Sequence, residues 1–311
     1  MASKDYLKLV EKSQNKKLKL ARQQEKQIKE IYQNIYLKTS SKLEKANLND
    51  LSVRYLESVR EVIKDEIRLS QRKVKKIIKN NMLKASSLGT NTQLDFFMQI
   101  NSKYELNLED SFKSMFSSIS KDAINEILFG KVYKGRMGLD ERIWSCTKKF
   151  EKDIDYIIAE GIASKKSAYE LAKDLEIYLN PDARKDWDWS KVYPSASKKV
   201  DYNAQRLART SVNHAYQQAQ KRSCMKNPYI EGIEWLSSNS HRTCELCNSR
   251  NGQIFKVNEV PLDHPNGMCT TIPVISKSLE DIGEELNSWI NGASNPKLDK
   301  WLGENIEEFI V

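Results

Sequence analysis

WLSSNSHRTCELCNSRNGQIFKVNEVPLDHPNGMCTTIP, residues 235–273, divides the chain, because it gathers three of the five cysteines and two of the three histidines while almost everything before it reads as helix. Cys244 and Cys247 stand as C-x2-C, and His264 and Cys269 close a second half as H-x4-C. A C-x2-C pair can turn two thiolates toward one ion, and a second pair from a distant loop completes a closed tetrahedral set. The four are therefore candidate ligands of a structural Zn2+. Gly252, Pro261, Pro265 and Gly267 supply the turns between them. Glu231 to Leu236, the apolar Ile254, Phe255 and Val257, and Thr270 to Val274 read as short strands beside the metal. A module of about forty residues buries too little apolar surface to hold itself, which makes a metal staple physically sensible.

Other readings of the same residues stay open. Cysteines in a reducing compartment are often small buried apolar residues, so a metal-free thiol pair is the alternative. His241 is a rival ligand, better placed on the surface; a redox C-x2-C would need a βαβ surround that is absent. C-x2-C followed by Asp263-His264 also resembles the start of an HNH-type nuclease finger. His264 is the last histidine of the sequence, so it cannot act as general base and also be followed by the second metal-binding histidine that motif requires. No G-x-S-x-G, P-loop or G-x-G-x-x-G occurs. The expectation is therefore a protein that is not an enzyme, with a metal-dependent nuclease as the minor alternative.

Of the 311 residues, 39% are hydrophobic and 30% charged, with a net charge of +9, enough for two or three domains with a modest core. The pI of about 9.1 favours an acidic partner such as double-stranded DNA or an acidic protein surface. No apolar run approaches the roughly 18 residues of a membrane span, and MASKDYLKLVEK lacks the apolar core of a signal peptide. Synthesis and retention in the cytoplasm are expected. Five cysteines, an odd number, suit a reduced metal site better than a disulfide framework.

No proline precedes Pro181 and no glycine precedes Gly89, so long helices are expected from the start. Leu7, Val10, Leu18, Ala21, Ile28, Ile31 and Ile35 mark one narrow apolar stripe. Leu56, Val59, Ile63, Ile67, Val74 and Ile77, after a cap at Asn49 or Asp50, mark a second. Together they predict a long helical hairpin. Residues 1–88 hold 22 Lys and Arg against 10 Asp and Glu, and Lys16, Lys17 and Lys19, with Arg72, Lys73, Lys75 and Lys76, form runs that could follow phosphates or an acidic partner. A solvated helix face is the alternative, since aromatic residues are not interleaved for stacking. Ser86 to Thr92 reads as a hinge-like break. Beyond it Phe96, Phe97, Ile100, Phe112, Met115, Phe116, Ile124, Ile127 and Leu128 predict shorter packed helices.

Farther along, Ser167 with Glu170 forms a capping box. Trp187, Trp189, Tyr193 and Pro194 mark an aromatic loop. Leu207, Val212, Ala215 and Ala219 face inward on a helix whose His214 reads as a structural side chain. The fold class that follows is mainly α: a basic long-helix region (1–88), a helical middle domain (89–200), a small α+β zinc-binding module (201–276) and an acidic helical tail (277–311).

Two blocks carry a family resemblance. GLDERIWSCTKKFEKDIDYIIAEGIASKKSAYELAKDLEIYLNP, Gly138 to Pro181, resembles a helical segment of minor head proteins in tailed phages of Gram-positive hosts. ARTSVNHAY at Ala208 to Tyr216, followed by Trp235, by RTCELCNSRNGQIF at Arg242 to Phe255 and by HPNGMC at His264 to Cys269, resembles the Mu-type head morphogenesis family. Members commonly show H-P-N-C-R-C; here Gly267 and Met268 replace the middle Cys and Arg, while the outer His264 and Cys269 are kept. The first 130 residues carry no motif of the family. The resemblance implies a structural minor capsid protein of the virion, in the head interior at the portal vertex, incorporated during procapsid assembly. Its implied partners are the portal protein and also scaffold or major capsid protein, with ejection alongside the DNA as a further implied role.

Overall fold

With no proline or early glycine to interrupt them, the first hundred or so residues form two long helices, α1 (Lys4–Glu44) and α2 (Val53–Tyr104). The computed structural model describes residues 4–44, 53–164, 166–182, 200–237, 243–267 and 269–309. Asn49, Asp50, Trp187, Trp189, Tyr193, Pro194 and His241 lie outside them. Shorter helices follow: α3 (Glu109–Ser117), α4 (Ile119–Leu128), α5 (Leu139–Ala163), α6 (Ala168–Leu179) and α7 (Tyr202–Met225). Then come β1 (Gly232–Leu236), α8 (Glu245–Arg250), β2 (Ile254–Phe255) and β3 (Thr270–Val274). The described chain closes with α9 (Leu279–Ile290), α10 (Pro296–Glu304) and α11 (Ile306–Phe309). The chain is mainly α with a small sheet near its end, the class that the periodicities predict.

Contacts divide it into two compact units, Met1–Ala21 with Asn81–Val132 and Thr210–Val311, and Arg22–Asn80 with Tyr133–Arg209. In the first, Tyr6, Phe96, Phe97, Phe112, Phe116 and Trp301 share one core. Phe97 stacks on Phe112 at 4.8 Å and on Trp301 at 5.9 Å between ring centroids. The acidic C-terminal residues are part of this core, because α9 and α10 turn Leu279, Ile282, Leu286, Leu298 and Trp301 into it. α1 and α2 run antiparallel here: Gln93 donates to the Tyr6 hydroxyl, and Ser13 Oγ to the Leu88 carbonyl at 2.9 Å.

The hinge expected at Ser86 to Thr92 is absent, and the division expected at residue 88 falls inside α2. The hydroxyls that suggest a loop are all bonded. Ser86 Oγ donates to the Ser120 carbonyl at 2.9 Å, Thr90 meets the Ser120 hydroxyl at 3.0 Å, and Thr92 Oγ1 returns to the Leu88 carbonyl at 3.1 Å. Gly89 marks close packing rather than a break, since a Cβ there would stand 2.5 Å from the Tyr216 carbonyl oxygen of α7.

The sheet has the order β2-β1-β3 with both neighbours antiparallel; Trp235 pairs with Thr271, and Glu234 with Ile254. Trp235 is fully buried among Cys247, Cys269, Ile233 and Val260, so the strands pack against the cysteine knuckle.

In the second unit the predicted stripes are buried: Ile28, Ile31 and Ile35 on α1, and Val59, Ile63, Ile67 and Val74 on α2, with Phe150, Ile154 and Ile157 of α5 and Leu171 and Leu175 of α6. Ile78 takes the fully buried place expected of Ile77. Cations of α2 face carboxylates of α5: Lys64 with Asp155 at 2.7 Å, Arg68 with Glu151 at 2.9 Å and Lys75 with Asp140 at 2.6 Å. The Ser167 capping box forms, with Ser167 Oγ accepting from Glu170 N at 3.2 Å and Glu170 returning to Ser167 N at 2.8 Å.

Candidate metal centre

α7 reads as helix from its lack of breakers, yet it is buried through polar as well as apolar side chains. Leu207, Val212, Ala215 and Ala219 are inside as expected. Thr210, Asn213, His214 and Gln217 fall at i, i+3, i+4 and i+7, one helical face, and each bonds the loop 263–266. Thr210 Oγ1 accepts from Asn266 N at 2.8 Å, and Asn213 Nδ2 donates to Asp263 Oδ2 at 3.2 Å. His214 Nε2 meets the Asp263 carbonyl at 2.8 Å, and Gln217 Oε1 accepts from Asp263 N at 3.0 Å. His214 is thus the structural side chain expected of it.

Asp263 turns this grip into a ligand loop. Its Oδ1 accepts from His264 N at 2.8 Å and its Oδ2 from Cys269 N at 3.0 Å, so one carboxylate spans the H-x4-C segment and fixes both ends. Burial raises its pKa above the usual carboxylate value, against the pull of those N–H groups and of Lys17. Asn266 adopts a left-handed conformation with φ 68°, which asparagine tolerates better than most residues. A Cβ at Gly267 would overlap the Asp263 carboxyl group, so the bare glycine makes room for the acid.

The C-x2-C half sits at the start of α8. Cys244 is its N-cap residue and Cys247 lies in its first turn, buried. The Cys247 backbone N–H points at the Cys244 sulfur and holds that exposed thiol below its ordinary pKa, whereas burial pushes the Cys247 thiol up. His264 Nδ1 lies 3.1 Å from the Pro265 carbonyl. In the tautomer that donates this bond, Nε2 is free to act as a ligand.

Donor atoms converge in two overlapping triples, Cys244–Cys247–His264 and Cys247–Asp263–Cys269, each with its ligand atoms within 4.8 Å of one another. Cys247 belongs to both. All four predicted ligands therefore lie at one place, with Asp263 a fifth donor that sequence reading did not assign to the site. In a tetrahedral zinc site with Zn–S near 2.3 Å, sulfurs stand about 3.8 Å apart; each triple is near that spacing, while Cys247 is the donor that links the two. Cys247 and Cys269 are 1% and 3% exposed, and the set is closed toward the core. Three thiols and an imidazole make the four-donor set that a structural zinc takes, with Cys247 and Cys269 on its buried side and Cys244 on its exposed side.

Lys17 requires a correction. Expected on a surface that phosphate could reach, it is 6% exposed: Nζ donates to Asn213 Oδ1 at 2.9 Å and lies 4.9 Å from the centre of the Tyr216 ring. Burial lowers its pKa to about 8, opposed by Asp263 and Cys269. Lys16 and Lys19, on the opposite side of α1, are exposed, as are Arg72, Lys73 and Lys76 in the second unit; Lys75 is paired with Asp140. The polar residues of RTSVNHAYQ at helical spacing, and Asp263 next to a ligand, are the signals by which the remainder of the site could have been found.

Residues 148–272 match the family model described as Phage Mu protein F like protein. No curated protein and no solved structure matches the chain. The matched span takes in the gripping face of α7, both halves of the cysteine site, Trp235 and β2. No described helix is long and apolar enough to cross a membrane.

Proposed function

We propose, from the match of residues 148–272 to the family model described as Phage Mu protein F like protein, that this is a structural minor capsid protein that binds the portal vertex during procapsid assembly. The observation that carries the reading is the match itself, which falls on the module where α7 and the cysteine loop are joined. In this reading the module holds one structural Zn2+ through Cys244, Cys247, His264 and Cys269, and the ion supplies cross-linking and no catalysis. Asp263, Thr210, Asn213, His214 and Gln217 orient the ligand loop. The chain resides in the head interior, after assembly in the host cytoplasm, and meets portal protein, with scaffold or major capsid protein as further partners.

The test is to express the tagged chain during phage production and identify what it retains after nuclease treatment in moderate salt. Recovery of portal protein supports the reading. Loss of every partner on nuclease treatment sinks it and makes nucleic acid the tether. Elemental analysis should find close to one zinc per chain, with Cys247→Ser lowering both zinc content and melting temperature; a metal-free chain of full stability would remove the metal from the proposal.

A second reading, DNA binding that protects the packaged or injected genome, is favoured by exposed Arg72, Lys73 and Lys76. Plasmid DNA left intact by the chain with Mg2+ or Mn2+ would dismiss the remaining nuclease alternative.

A further inference from the structure

Lys17 lies outside the matched residues, on a helix with no motif of the family, yet its ammonium is spent inside the metal module. Burying an ammonium is strongly unfavourable unless opposite charge and hydrogen bonds meet it. From Nζ a relay runs through Asn213, whose Oδ1 accepts from Lys17 at 2.9 Å and whose Nδ2 donates to Asp263 Oδ2 at 3.2 Å; the same oxygen accepts from Cys269 N at 3.0 Å. Two neighbours on the same face of α1 also engage the module. Ser13 Oγ accepts from the Tyr216 hydroxyl at 3.1 Å, and Gln14 Nε2 donates to the Thr271 carbonyl at 3.4 Å.

Charge makes the relay more than packing. A divalent ion that displaces protons from three thiols leaves its ligand set with a net single negative charge, beside an Asp263 that is 3% exposed and carries another when ionised. A buried cation is what offsets such a cluster, and Lys17 of α1 is buried.

Resting on the metal reading above, we propose that Lys17 is the counter-cation of the metal–thiolate cluster, so that metal loading and the seating of the first turns of α1 on the module stabilise each other. Linkage makes the effect reciprocal: whatever the metal adds to the seating of α1, a seated α1 adds to metal affinity. The metal thus fastens the N-terminal helix as well as its own loop, which gives the site a role beyond the ligands themselves.

The experiment uses the full chain loaded with zinc, as wild type, as Lys17→Met and as Lys16→Met, an exposed control on the same helix. Zinc affinity is measured by competition with a chromogenic chelator, and hydrogen exchange of residues 4–21 is followed with and without the metal. Lys17→Met is expected to weaken zinc binding by about 10- to 100-fold, the usual effect of losing a group behind the ligands, and Lys16→Met to leave it unchanged. Chelation should speed exchange in residues 4–21 of the wild type while residues 112–127 keep their protection. Native zinc affinity in a folded Lys17→Met chain overturns the proposal, as does wild-type exchange in residues 4–21 that ignores chelation. Should Lys17→Met fail to fold, the wild-type exchange comparison decides alone. A wild type that holds no zinc brings down the metal reading and this proposal together, whereas one zinc per chain with equal affinities removes only the counter-cation.

Discussion

Gly267 has no side chain where the Asp263 carboxyl group stands, and that pair decides whether His264 and Cys269 point at a common centre. Gly267→Ala forces the acid aside or the loop open, with an overpacking cost of about 1–3 kcal/mol. Asp263→Ala strips an acceptor from three N–H donors, His264 N, Cys269 N and Asn213 Nδ2, each at about 1–3 kcal/mol when buried without a partner, and from the Cys247 thiol at 3.9 Å. Both variants should melt earlier and retain less zinc on gel filtration, Asp263→Ala the more so; unchanged melting in either would mean the loop is held by α7 alone. The thiols report on the same centre. In metal-stripped protein, iodoacetamide at pH 8 should modify exposed Cys244, its pKa lowered, ahead of Cys146, whose thiol burial pushes up to about 11, and of buried Cys224. Bound zinc should protect Cys244, as read by peptide mass spectrometry.

At the scale of elements, the long helices, the apolar stripes of the second unit, the capping box and the strand positions were legible because each rests on local spacing or on punctuation by glycine and proline, whereas at the start of α1 the buried places fall to Tyr6, Ser13, Lys17 and Leu20 rather than to Leu7, Leu18 and Ala21. What was hidden is what depends on a partner helix. Ser86 to Thr92 looks like a break until Ser120 and the carbonyls of α2 receive its hydroxyls, and the polar run of α7 looks like a surface until the loop 263–266 lies against it. Gly89→Ala tests the first point, with two effects of opposite sign. Alanine is the better helix former by about 1 kcal/mol, but its Cβ meets a backbone oxygen that cannot rotate away, so the substitution should lower the melting temperature. A rise would show that α7 yields. Glu126 and Arg222 join α4 to α7, with Arg222 Nε donating to Oε2 at 3.1 Å. The guanidinium holds the Glu126 carboxyl below its usual pKa. Its folded value is depressed, so its contribution to stability is present above the unfolded value near 4.5 and fades as pH falls through the folded one. Wild type should therefore be more stable than Glu126→Gln at pH 7, and the difference should close as pH falls below 4.5 and through the depressed folded value; a gap independent of pH would refute the charge-based account.

At the scale of the whole molecule, charge that looks free in the sequence is partly consumed within the chain. The 22 cations among residues 1–88 include Lys17, buried in the metal module, and Lys64, Arg68 and Lys75, which meet carboxylates of α5. An ion pair that folding already satisfies has less to offer a phosphate, so net charge overstates what a polyanion can use. Arg72, Lys73 and Lys76 stay exposed and make the separation of the two functional readings possible. Changing all three to Glu should leave portal retention in moderate salt unaltered, because that reading depends on helical faces and the module rather than on this strip. If double-stranded DNA is also a partner, the same changes should flatten the dependence of log affinity on log salt by about 3, near 0.9 for each phosphate no longer neutralised. A triple variant that fails to retain portal protein, measured by the same affinity capture after nuclease treatment, would move the portal-binding surface onto the exposed face of α2.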